Sequence, residues 1–211
     1  LPELAATSSE IRAYADQLGQ PYCGPVAAFE SREWFEDGDI LQSFAFLPLR
    51  TAQTFGVLAL GSPDPDRFHA ILIAGGQAPM FTFEHATSLH QTFAHFHESG
   101  KIAAALCHGV AILRYARASN GDLIAKGKTI TGFANVEEDY ADHAVWEMGL
   151  LPRDKHVMPW RIEDEMKLAG ANFIQAGPWR PFTIRDGNLI TGQQNMSGAV
   201  TARAIIQSLG A

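Results

Sequence analysis

Ile102-Ala-Ala-Ala-Leu-Cys107-His108-Gly109-Val-Ala-Ile-Leu is the stretch whose reading decides the fold. An apolar run ends at a cysteine, and His-Gly leads into a second apolar, helix-compatible run. The pattern predicts a strand, a tight turn and a helix, with the thiol held out of the sheet at the turn, as in a nucleophile elbow. The start of a helix offers backbone N–H groups and a partial positive charge, which favour a thiolate. The alternative for Cys107 is a buried structural cysteine, because free cysteine is among the most buried residue types.

Short apolar runs and helical segments alternate on either side. Residues 70–74 (AILIA) predict a buried strand ending in Gly75-Gly76, and residues 86–99 a helix with Leu89, Phe93, Ala94 and Phe96 inward. Residues 102–107 predict the next strand and 109–118 the helix after the elbow. Residues 128–132 read as a third strand and 161–169 as a helix stopped by Gly170. Residues 172–176 and 181–192 close the sheet, the latter turning at Asp186-Gly187-Asn188, and a helix covers 197–209. This alternation argues for an α/β fold, a mostly parallel sheet with helices on both faces. Ligands of such sheets bind beyond the carboxyl ends of the strands. Gly75-Gly76, Cys107-His108 and the loop after Gly132 are all strand ends, so they are expected to converge.

Composition narrows the function classes. The chain has 211 residues, 46% of them hydrophobic, enough for a full core, and a net charge of -7, which argues against nucleic-acid binding. No apolar stretch reaches the roughly 18–20 residues needed to span a bilayer. Leu1-Pro-Glu-Leu lacks the basic and apolar regions of a secretion signal, and two cysteines, Cys23 and Cys107, make no disulfide framework. The cytoplasm is the expected compartment.

Five motifs carry a resemblance: Ile71-Leu-Ile-Ala-Gly-Gly76, Ala105-Leu-Cys-His-Gly109, Lys128-Thr-Ile-Thr-Gly-Phe-Ala-Asn-Val-Glu-Glu138, Ile162-Glu-Asp-Glu165 and Asp186-Gly-Asn-Leu-Ile-Thr-Gly-Gln193. Through them residues 68–211 resemble the PfpI/ThiJ superfamily, cysteine-dependent relatives of class I glutamine amidotransferases with a flavodoxin-like sheet. The resemblance is nearest to glyoxalase III-type and deglycase-type proteins, which need no cofactor and act on methylglyoxal or its adducts. It implies Cys107 as nucleophile, His108 as its general acid/base and a carboxylate beyond Phe133 to orient the imidazole. Spacing favours Glu138, with Glu137 next, and a solvated acidic turn is the alternative for both. The resemblance also implies an oxyanion site from Gly75, Gly76 and the N–H of His108. Gln77, Glu137 and Phe133 are candidate substrate contacts. Gln77-Ala78 departs from the family's usual His-Gly at that point. Trp160 and Trp179 read as core or pocket wall. His85, His90, His95 and His97 lack the spacing of a metal site, so no metal is expected, and the resemblance implies no cofactor.

Residues 1–67 do not fit the family pattern. The family opens with a βαβ unit that supplies a carboxylic acid to the cysteine; here residues 8–18 predict a helix, and residues 43–50 and 54–60 a β-hairpin. Gln20-Pro-Tyr-Cys-Gly24 and Phe55 to Phe68 resemble the tail of a small GAF-like domain, so two joined fragments, with a seam near Asp66, explain the sequence. The hairpin is then expected to patch the sheet where strands are missing, and exposed edges favour a homodimer or higher homo-oligomer. The acid partner of Cys107 is unassigned. The leading functional expectation is a cysteine-dependent hydrolase or lyase on small carbonyl or acyl compounds, weakened by that loss. The alternatives are a chaperone or thiol oxidation sensor, and a chimaeric hydrolase with a reshaped pocket and an unrelated substrate.

Overall fold

The computed structural model describes residues 44–46, 56–57 and 65–210. The helix expected over residues 8–18, and Cys23, lie outside the described residues. Eight strands are described: β1 (Phe44–Phe46), β2 (Gly56–Val57), β3 (Ala70–Ile73), β4 (Ile102–Leu106), β5 (Thr129–Ile130), β6 (Asn172–Phe173), β7 (Thr183–Asp186) and β8 (Leu189–Gly192). Six form one sheet in the order β2-β1-β3-β4-β8-β7. β3, β4 and β8 run parallel at its centre, and β1 and β7 flank them antiparallel. β1 pairs antiparallel with β2, as a hairpin requires, and lies against β3.

Strand alternation sorts the core into two layers, because successive side chains leave opposite faces of a sheet. Ile71 and Ile73 of β3 and Ala103 and Ala105 of β4 join the larger cluster. Ala70, Ile102, Ala104 and Ile190 join the smaller one with Ile205. On the larger side lie α1 (Pro79–Thr82), α2 (Thr87–Glu98) and the 3-10 helix Cys107–Arg114. α3 (Asn135–Glu147) and α4 (Ile162–Leu168) follow in the chain, and α5 (Gly198–Ser208) covers the smaller cluster. In α2, Leu89, Phe93, Ala94 and Phe96 are all buried, as their spacing predicts. Burying a side chain as large as Phe93 contributes about 2 kcal/mol.

Four expectations are corrected. The helix after the elbow is a 3-10 helix over Cys107–Arg114, not one over 109–118. It is pressed against the end of β3: a Cβ on Gly109 would lie 2.6 Å from the carbonyl oxygen of Ile73. The third strand shrinks to Thr129–Ile130 and pairs with β6 in a separate two-stranded sheet. β6 itself covers only Asn172–Phe173 of the expected 172–176. The acidic segment after Phe133 is not a loop but the start of α3.

Candidate active site

The site begins with a backbone constraint. Cys107 has φ +60°, a left-handed conformation that costs a non-glycine residue about 1–3 kcal/mol and persists only where its surroundings enforce it. Leu106, still extended, delivers the chain into the turn. Gly75 closes it from the neighbouring strand. A Cβ there would lie 2.6 Å from Cys107 Cβ and 2.8 Å from the Leu106 carbonyl oxygen, so only glycine lets the two strand ends meet. Gly76, at φ +107°, turns the chain away. The first N–H groups of a helix lack acceptors within it and favour an anion beside them, and Cys107 is the first residue of the 3-10 helix.

Cys107 Sγ lies 3.6 Å from His108 Nδ1, and His108 Nε2 lies 2.9 Å from Glu138 Oε1. The imidazole and carboxylate are buried, and Phe133 stacks on the ring at 4.1 Å between centroids. Burial works against charge on His108. The hydrogen bonds to Cys107 and Glu138 and their negative charges outweigh it, raising its pKa from 6.5 to about 9. At neutral pH the imidazolium therefore donates Nε2–H to Glu138 and holds Nδ1–H towards the sulfur. Among the described residues His108 is the hydrogen-bond partner of Cys107, and no carboxylate bonds the thiol.

Glu138 reaches the ring because α3 is anchored at its first turn and again beyond it. The Ala134 N–H donates to Glu137 Oε2, and the Asn135 N–H donates to Glu163 Oε2 at 2.8 Å. One turn further along, Asp142 accepts from the Val157 N–H and from His156. Glu137 points away from His108. It is fully buried, and its Oε1 accepts from the Trp179 N–H and Gln193 Nε2. The solvated-turn alternative does not describe these acids. The motif ending at Gln193 braces the same region: Asp186 accepts from the Thr129 N–H at 2.7 Å, and Thr191 Oγ1 from the Thr131 N–H at 2.9 Å.

Gly75, Cys107, His108, Phe133 and Glu138 are thus brought together. Gln77 is exposed on the loop beyond Gly76. Trp160 donates its indole N–H to the Met80 carbonyl, and Arg114 lies over its ring. Among the histidines, His90 lies against the Phe83 carbonyl and His95 pairs with Asp66. Among the described residues, no group of three or more His, Cys, Asp or Glu side chains could hold a metal ion, and no helix is long and apolar enough to cross a membrane. Sequence reasoning missed the particular position of Trp179, which the preceding Gly177-Pro178 turn signal could have flagged.

Comparison with known proteins identifies the family to which this fold belongs. The DJ-1/PfpI family model matches residues 58–147, which contain the elbow and both acids. Bovine glutamine amidotransferase-like class 1 domain-containing protein 1 is 31% identical over 159 residues, covering 72% of this chain and 67% of that protein. This chain belongs to the DJ-1/PfpI family. Within the family it is also similar to the fission-yeast protein described as probable glutathione-independent glyoxalase hsp3103, at 33% identity over 150 residues and 69% of this chain. The match spans 55% of that relative's length. The crystal structure of glyoxalase III from Candida albicans superposes with a TM-score of 0.59 at 26% identity, covering 74% of this chain and 62% of that one. The family fold thus holds over the described α/β region.

Proposed function

We propose that this chain carries a cofactor-independent, cysteine-dependent lyase or hydrolase site for small carbonyl or acyl compounds, of the glyoxalase III or deglycase kind. The observation that carries this reading is the buried relay from Cys107 through His108 to Glu138, starting at a left-handed elbow. Fission-yeast and Candida relatives bear glyoxalase names. A glutathione-independent reaction needs a thiol from the protein itself, and Cys107 is that thiol here.

The chemistry balances without an external oxidant. The sulfur adds to the aldehyde carbon of a 2-oxoaldehyde, and the carbonyl oxygen takes the proton of His108 Nδ1, giving a hemithioacetal. The neutral imidazole then removes the hydrogen of that carbon and passes the proton to the neighbouring ketone oxygen, giving an enediol. The imidazole next takes the proton from the first oxygen and delivers it to the second carbon, giving the thioester of a 2-hydroxy acid. The former aldehyde carbon is oxidised as its neighbour is reduced. Water adds to the thioester, the thiolate leaves, and the acid is released. Gly75, Gly76 and the His108 N–H receive the oxyanions formed on the way. Gln77 and Phe133 face the substrate at the rim and wall. Among the described residues, His108 is the group placed to shuttle these protons. General acid–base help of this kind is typically worth about 10²–10⁴-fold.

The test is incubation of the purified protein with methylglyoxal, without glutathione, added metal or nucleotide. Lactate is expected, released over many turnovers. Methylglyoxal consumed without lactate, or no consumption, contradicts the reading.

A further inference from the structure

We infer that Trp179 sets the preference of the Cys107 site towards 2-oxo compounds bearing a flat apolar substituent, an inference that rests on the carbonyl chemistry proposed above. Among the described residues only two non-glycine residues have positive φ, Cys107 and Trp179, both at +60°. A bulky side chain rarely adopts that conformation, and where one does the surroundings must enforce it. The first of the two presents the thiol. The second is joined to it through the rings: Phe133 stacks on His108, and Trp179 meets Phe133 edge-on at 5.9 Å. Tyr140 follows at 6.4 Å from Trp179. A continuous aromatic run therefore leads from the catalytic imidazole to the surface.

The inner and outer ends of this run differ. Phe133 is buried, while Trp179 is 42% and Tyr140 55% exposed. Burial of its own ring therefore does not hold Trp179 in place. The backbone does, through buried polar groups spent on this loop. Glu137, fully buried, accepts the Trp179 N–H at 2.9 Å. Gln193, also fully buried, bonds the same carboxylate oxygen and accepts the Ala176 N–H at 2.8 Å. Gln194 donates to the Arg180 carbonyl at 3.0 Å. Three points of one short loop are thus fixed from the interior, and the product is an indole presented to solvent beside the active site. Stacked or edge-on aromatic pairs favour a planar apolar group over a methyl, so this wall selects a phenyl-like substituent on the carbonyl compound.

The experiment compares kcat/KM for phenylglyoxal and methylglyoxal in the parent protein, Trp179→Gly and Trp179→Phe. Glycine suits φ +60°, so it removes the ring without straining the turn. The phenylglyoxal-to-methylglyoxal ratio is expected to fall about fivefold in Trp179→Gly, the scale of one aromatic pair, and to recover largely in Trp179→Phe. An unchanged ratio overturns the inference while leaving the glyoxalase reading intact. If the parent turns over neither compound, the glyoxalase reading fails, and a second measurement decides the wall by itself: shielding of Cys107 from iodoacetamide by phenylglyoxylate or pyruvate. Stronger shielding by phenylglyoxylate, lost in Trp179→Gly, supports the inference. Equal shielding by the two acids, or shielding unaffected by Trp179→Gly, overturns it.

Discussion

Cys107→Ala is expected to lower methylglyoxal turnover by about 10⁴-fold or more. Every bond change in the proposed sequence passes through a carbon–sulfur bond, and no other described cysteine can form it. The substitution isolates chemistry from folding. Alanine keeps the Cβ that packs against Gly75, and it meets the same φ +60° as cysteine does. Thermal unfolding of the variant and the parent, measured beside lactate formation, separates a lost nucleophile from a lost fold. Full turnover in a folded Cys107→Ala protein would place the chemistry elsewhere.

Glu138→Gln is expected to lower kcat/KM by about 10²-fold, within the range of general acid–base effects, and to move the basic limb of the pH profile to lower pH. The amide oxygen of glutamine can still accept the Nε2–H bond, so the ring keeps its orientation while the negative charge is lost. The sign follows from the raised pKa. Burial opposes the charge on His108, and Cys107 and Glu138 overcome it, so the imidazolium persists up to about pH 9. Without the carboxylate the proton leaves at lower pH. The same shift links to stability: a folded pKa of about 9 against an ordinary 6.5 stabilises the fold below pH 6.5, and that contribution fades as pH rises through about 9. The variant should lose stability relative to the parent below pH 6.5 and approach it at high pH. A pH profile of kcat/KM paired with urea unfolding at several pH values reads both effects, and an unmoved basic limb would separate Glu138 from the titration of His108.

The parts legible in the sequence are those where apolar spacing or a glycine reports directly on the backbone. β3, β4 and α2 lie where their apolar runs place them, because their buried faces are hydrocarbon. Gly187 at φ +64° turns β7 into β8, as Asp186-Gly187-Asn188 predicts. α3 was illegible for the opposite reason. Its buried residues are Glu137, Glu138 and Asp142, acids that a hydrophobic periodicity cannot register. They are buried because backbone N–H groups and cationic or polar side chains from distant segments meet them, and only the tertiary structure brings those together. The 3-10 form of the helix after Cys107 likewise depends on how closely Gly109 approaches the β3 carbonyls. Trp179 gave no periodic signal at all; its place is set by Glu137, 42 residues earlier in the chain.

The most direct measurement is rapid acid quench of the protein during methylglyoxal turnover, followed by peptide mass spectrometry of the segment containing Cys107. The mechanism predicts a fraction of that peptide carrying one methylglyoxal equivalent on sulfur, released by hydroxylamine as expected for a thioester and absent from Cys107→Ala. Lactate forming at an undiminished rate in protein whose Cys107 has been blocked by prior alkylation would contradict it.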